Sequence, residues 1–166
     1  MATGDTLAVF HVMQGEPPSS NYATLDARNQ HVVADFDDTT DEAMMFSGVL
    51  PRHYGGNGIT VYIHYAMTSA TTGKVRWDCS FERIGDGSQD IDSDGFASAN
   101  SVNVAAVDGT SGNVDIASIA HTNGAQIDSI AVGEMFRIKI ERKPSDGTND
   151  TAVGDAELIM VELKET

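Results

Sequence analysis

The chain holds one cysteine, Cys79, in 166 residues. That excludes an internal disulfide and any zinc site built from cysteines, and it suits synthesis in a reducing cytoplasm. No stretch approaches the roughly 18 apolar residues of a membrane helix. Met1-Ala2-Thr3-Gly4-Asp5 lacks a basic segment followed by an apolar core, so no signal peptide is expected. Basic residues are scarce: 10 Lys and Arg stand against 25 Asp and Glu, a net charge of −15. Binding through a nucleic-acid phosphate backbone needs a cationic footprint and is excluded. Anionic membrane surfaces are disfavoured for the same reason. Aromatic residues are few, with one Trp, and helical periodicity is almost absent. Only Ala125–Val132 has the pattern for a helical turn or two.

What remains is enough for one ordinary domain. Hydrophobic residues make up 40% of the chain, too many for a disordered protein. Ile59–Thr68 alternates with period two, placing Ile59, Val61, Ile63, Tyr65 and Met67 on one face. Lys74–Ile84 does the same with Val75, Trp77, Cys79 and Phe81. The short, turn-rich Ser69–Gly73 between them predicts a hairpin. Glu134–Lys143 aligns Phe136, Ile138 and Ile140, and Asp155–Glu165 follows after a polar loop. In Asp155–Glu165 both faces read as apolar: Leu158 and Met160 on one, Ile159, Val161 and Leu163 on the other. Glu42–Leu50 is also apolar on both faces, so a subunit partner is expected over the second face of each strand.

Weaker strands are Thr6–Met13, His31–Phe36, Ser101–Val107 and Asn113–Ile119. Residues 14–30 read as an extended, Pro-punctuated segment, either a loop or an arm reaching a neighbour. Turn residues punctuate the rest. The expected fold is all-β: a jelly-roll-like antiparallel β-sandwich of eight or nine strands. Residues 1–30 form an N-terminal strand and extended arm, and residues 31–166 the sandwich, as a single folding unit.

Catalytic signals are sparse. Cys79 sits mid-strand beside Trp77 and Phe81 and reads as a small buried hydrophobe. His11, His31, His53, His64 and His121 form no pair at ligand spacing, which argues against a cupin-like metalloenzyme. There is no G-x-S-x-G elbow and no phosphate-binding glycine loop. Tyr54 is either an exposed contact or a plug at the end of the core. The best-defined cluster is Asp90-Ile91-Asp92-Ser93-Asp94-Gly95. Carboxylates at Asp90, Asp92 and Asp94, then a glycine, are how a calcium loop begins. Position twelve is Ser101, where an EF-hand needs Glu. The readings are a non-EF-hand Ca²⁺ site, with Asp86 and Gln89 as further ligands, or a solvated acidic loop.

Several segments in order carry a resemblance: Phe46–Tyr54 leading into Ile59–Tyr65, then Thr71–Trp77, Phe81–Ile84, Gly133–Arg142 and Gly154–Leu158. Together they resemble small β-sandwich structural proteins of tailed bacteriophages, among them capsid decoration (cement) proteins and fibre or spike domains. The resemblance spans most of residues 22–166 and brings no functional residues with it. It implies a non-enzymatic virion protein made in the host bacterial cytoplasm. Such a protein would decorate the capsid exterior, bind the major capsid protein and self-associate as a homotrimer, without nucleic acid or membrane. The acidic surface suits a particle exterior. The alternative is a receptor- or carbohydrate-binding β-sandwich module of a fibre or spike.

Overall fold

The computed structural model describes residues 4–104 and 107–166. Among the described residues ten strands build two sheets: β1 (Thr6–His11), β2 (Thr24–Arg28), β3 (His31–Phe36), β4 (Glu42–Val49), β5 (Ile59–Met67), β6 (Val75–Ile84), β7 (Asn100–Val104), β8 (Val114–His121), β9 (Met135–Arg142) and β10 (Ala156–Glu165). One sheet runs β2-β3-β10-β5-β8, with β1 also paired to β10; the other runs β4-β9-β6-β7. Every strand pairing is antiparallel. This is the expected antiparallel sandwich. Residues 105–106 of the predicted Ser101–Val107 strand lie outside the described residues.

Alternation sets the core. Ile59, Val61, Ile63, Tyr65 and Met67 of β5 face Val75, Trp77, Cys79 and Phe81 of β6 across the interior, and all are buried. Trp77 meets the edges of Phe36 and Tyr65 with ring centroids 5.1 and 5.3 Å apart. Phe10, Phe46, Phe81 and Phe136 form a second aromatic group at the other end. Tyr54 is buried in the same core, donates to Asn123 and accepts from Gly58 N–H, so it plugs the end of the sandwich.

The predicted hairpin is not one. β5 pairs with β10 and β8, whereas β6 pairs with β9 and β7. The link 68–74 therefore crosses from one sheet to the other. The link between β9 and β10 crosses likewise, and the two crossovers hold each other. Thr151 N–H and Ala152 N–H both donate to Lys74 C=O, and Thr68 N–H donates to Asp155 C=O. Gly73 makes this contact possible: at φ +100°, a Cβ there would lie 2.8 Å from the Ala152 backbone.

The doubly apolar strands have causes within the chain. In β10 the register slips between Leu158 and Met160, a β-bulge. The bulge resets the alternation. Leu158, Val161 and Leu163 all point inward and are buried, while Ile159 and Met160 stay half-buried outside. In β4, Met44 and Phe46 enter the core, and Met45 is buried on the outer side, where it accepts a contact from Arg137 Nη2. The edge of β4 pairs with the chain's own Glu16 and Tyr22–Ala23. The extended segment 14–30 is thus tied to the chain's own sheets, since its residues 24–28 form β2 in the larger sheet.

Candidate functional site

β10 exchanges neighbours at its bulge. β3 lies beside residues 156–158 and β1 beside residues 160–164. Beyond residue 158 β3 no longer pairs with β10, and Arg28 at the end of β2 reaches Glu157 and the Met67 carbonyl. The turn residues of the β2–β3 hairpin, Asn29 and Gln30, adopt left-handed φ of 47° and 69°, a conformation Asn tolerates well. Between the hairpin, β5, β10 and the 111–114 turn lies a cleft of about 560 Å³. Its apolar wall is Val33, Ala66, Val114 and Ile159; its polar groups come from Arg28, Asn29, His31, Asn113 and Glu157.

An ion pair crosses the cleft. Arg28 Nη1 donates to Glu157 Oε2 and, at 3.0 Å, to the Met67 carbonyl. The Glu157 side chain is 6% exposed and that of Arg28 37%. Met67 C=O also accepts Gly112 N–H at 3.1 Å, so the turn and the guanidinium share one anchor. Directly across from Glu157 on β3 sits Asp35. Burial, with Glu157, Asp26, Asp155 and Glu42 adding repulsion, pushes the Asp35 carboxyl up to about 6.

The cleft continues as a strip along the outer side of β5. Ala66 lies between Glu157 and Val114, His64 between Met160 and Ile116, and Tyr62 between Glu162 and Ser118. The four-residue step from Tyr62 to Ala66 spans about 13 Å. Lys164 Nζ stands 5.8 Å from the Tyr62 ring centroid, the amine over the ring face. Ile116 and Val114 are more than half exposed beside it.

The other residues singled out by the sequence go elsewhere. Asp90 Oδ1 accepts Asp92 N–H and Asp94 Oδ1 accepts Gly95 N–H, both carboxylates serving local turns. All three aspartates are exposed. Gln89 Oε1 is taken by Gly85 N–H and Ser88. Among the described residues, no three His, Cys, Asp or Glu side chains converge as metal ligands; Asp90, Asp92 and Asp94 are not brought together as a ligand set. Cys79 is fully buried and burial pushes its thiol up, away from a reactive thiolate. His121 is buried against Phe81, with Nε2 3.2 Å from the Cys79 carbonyl. His31 and His64 are the two histidines on the cleft and its strip.

No family model matches this chain. No curated protein matches it either. Solved structures do. The CBM22-1 xylan-binding domain of Paenibacillus barcinonensis Xyn10C superposes with a TM-score of 0.52 at 9% identity, covering 99% of this chain and 96% of that one. The family 11 carbohydrate-binding module of Clostridium thermocellum, solved with a mixed-linked β-1,3-1,4 tetrasaccharide, superposes with a TM-score of 0.50 at 12% identity. It covers 100% of this chain and 98% of that one. At these identities the likeness is one of fold: a jelly-roll sandwich matched over its whole extent.

Proposed function

We propose that this chain is a non-catalytic binding module that takes a glycan chain in the cleft under the β2–β3 hairpin and along the outer strip of β5. The observation that carries the reading is the composition of that cleft. Its volume falls in the range of ligand sites, and it joins an apolar wall to a few convergent polar groups. Sugar rings offer apolar C–H faces and a rim of hydroxyls. Val114, Ile159 and the Tyr62 ring suit the faces; Asn29, Asn113 and His31 suit the hydroxyls. The two superposed folds, one a xylan-binding domain and one a carbohydrate-binding module in complex with a mixed-linked β-1,3-1,4 tetrasaccharide, support the same reading.

The virion setting implied by the resemblance enters as the place where such a module would act, on a particle exterior beside the major capsid protein. The doubly apolar strands no longer argue for it, since a bulge in β10 and the chain's own N-terminal segment account for them. The homotrimer is open to light scattering: a mass of three chains supports it, and a mass of one removes it.

Affinity electrophoresis in gels holding xylan, mixed-linked β-glucan or no polysaccharide tests the glycan reading. Retardation in at least one neutral polysaccharide is expected, reduced severalfold by Tyr62→Ala and by Asn113→Ala. Unchanged mobility across a broad neutral panel would sink it.

A further inference from the structure

We infer that Glu157 sets the charge class of glycan the cleft accepts: by neutralising Arg28 it keeps the site for uncharged sugars and shuts out uronate-bearing chains. This deepens the glycan-binding reading and rests on it for the identity of the site.

Among the described residues, Arg28 is the one guanidinium or ammonium group lining the cleft, and Glu157 the one carboxylate. Left alone, a guanidinium in a cleft is a ready partner for a sugar carboxylate, because its planar fork matches that group. Here it is already engaged. Nη1 is shared between Glu157 and the Met67 carbonyl. The Gly112 backbone packs against the other side, where a Cβ would stand 2.9 Å from Nη2. The guanidinium is therefore held in place by neighbours that also cancel its charge.

Among the described residues, the charges paired across from this ion pair are negative. Asp35 lies across from Glu157, and Asp26 lies across from Val33 on the next strand. On the outer side of β10, Lys164 lies opposite Thr60, at the far end of the strip from the cleft and over Tyr62. A uronate entering the cleft would meet a neutral pair backed by carboxylates. A neutral sugar would meet the same hydrogen-bonding groups without that repulsion.

Replacing Glu157 by Gln keeps the side-chain shape and an acceptor for Arg28 while removing the charge. The guanidinium then becomes an uncompensated cation in a cleft of the right size. The test compares homogalacturonan in its free-acid and fully methyl-esterified forms, which share a backbone and differ in charge. Affinity electrophoresis at physiological salt would be run on the native chain, on Glu157→Gln, and on Glu157→Gln combined with Arg28→Gln. The native chain is expected to ignore the free acid. Glu157→Gln should gain affinity for it by roughly tenfold or more, and the added Arg28→Gln should cancel the gain. No gain in a folded Glu157→Gln overturns the inference, as does equal retardation of the native chain by both forms. A native chain retarded by neither form counts against glycan binding when the neutral panel also fails; the gain in Glu157→Gln still decides the role of Glu157. If Glu157→Gln does not fold, the native contrast is repeated near 1 M NaCl, where the Debye length shrinks to about 3 Å. A preference for the ester that survives there marks a local cause. A preference that vanishes reflects the net charge of −15 and overturns the inference.

Discussion

Arg142 and Asp150 form a fully buried, two-pronged ion pair where the two crossovers meet: Nε reaches Oδ2 at 3.1 Å and Nη2 reaches Oδ1 at 3.0 Å. The remaining donors go to the carbonyls of Phe36, Ala152 and Gly154 at 2.9–3.1 Å. All five N–H groups of the guanidinium are thus used. Asp150 in turn accepts Arg76 N–H. One side chain of β9 therefore ties down the loop that carries the chain into the other sheet.

Removing one partner leaves the other as a buried, uncompensated charge. Arg142→Met is expected to cost about 3–5 kcal/mol. Arg142→Met with Asp150→Leu should recover part of that, because no lone charge remains. Recovery stays incomplete while three carbonyls lack their donor. Urea unfolding followed through Trp77 fluorescence reads both; a single variant within 1 kcal/mol of the native chain would refute the assignment.

How much of this was open to reading in the sequence follows from what alternation encodes. Period two says which side of a strand is buried, so the inward rows of β5, β6 and β9 were legible residue by residue. It does not name the neighbouring strand. The link Ser69–Gly73 fits a hairpin as well as a sheet-to-sheet crossover, and the partners of β5 lie far along the chain, in β8 and β10. The bulge at Leu158–Met160 breaks the period itself, which made one covered face look like two. The cleft left no linear trace, because Arg28, Ala66, Asn113 and Glu157 come from four separate segments. The aspartates at alternate positions 90, 92 and 94 carry a spacing that is visible in the sequence alone. In the structure the Asp90 and Asp94 carboxylates accept backbone N–H groups of their own loop.

Asp35 gives the fold a titration of its own. Its carboxyl is raised to about 6 against an ordinary value of 3.8, so the folded chain prefers it protonated. Its contribution to stability therefore improves as the pH falls from 7 through 6 and is complete near 4. Asp35→Asn should remove the cost of burying the charge and the repulsion with Glu157, and, with solvent screening of this part-exposed group allowed for, stabilise the chain at pH 7.5 by on the order of 1 kcal/mol. At pH 4 the same substitution should be close to neutral. Urea midpoints at the two pH values check it; a gain of equal size at both would point to packing instead of charge.

His121 works in the opposite direction. Burial holds its imidazole below the ordinary value, so the folded chain prefers it neutral. Stability from this group is full above about 6.5, the unfolded value, and is lost as the pH falls below it. His121→Asn keeps a donor toward the Cys79 carbonyl and does not titrate. The stability difference between this variant and the native chain should shift in the variant's favour between pH 7.5 and 5. A difference that stays constant over that interval contradicts the assignment.

Gly112 links backbone conformation to the cleft. Its φ of +86° is a region that side chains with a Cβ rarely adopt, and the space a Cβ would take is occupied by the Arg28 guanidinium. The two consequences of Gly112→Ala separate in measurement. The left-handed backbone should cost about 1–2 kcal/mol of stability. The methyl should also push Arg28 off the Met67 carbonyl, since a flexible side-chain end yields before backbone does. Retention on a neutral polysaccharide should then fall severalfold even at temperatures where the variant is fully folded. Arg28→Ala combined with Gly112→Ala removes the clash but leaves the backbone strain, so its stability should match that of Arg28→Ala less the same 1–2 kcal/mol. If Gly112→Ala weakens binding without loss of stability, the strain argument fails; if it loses stability while binding is untouched, the Arg28 contact does not shape the cleft.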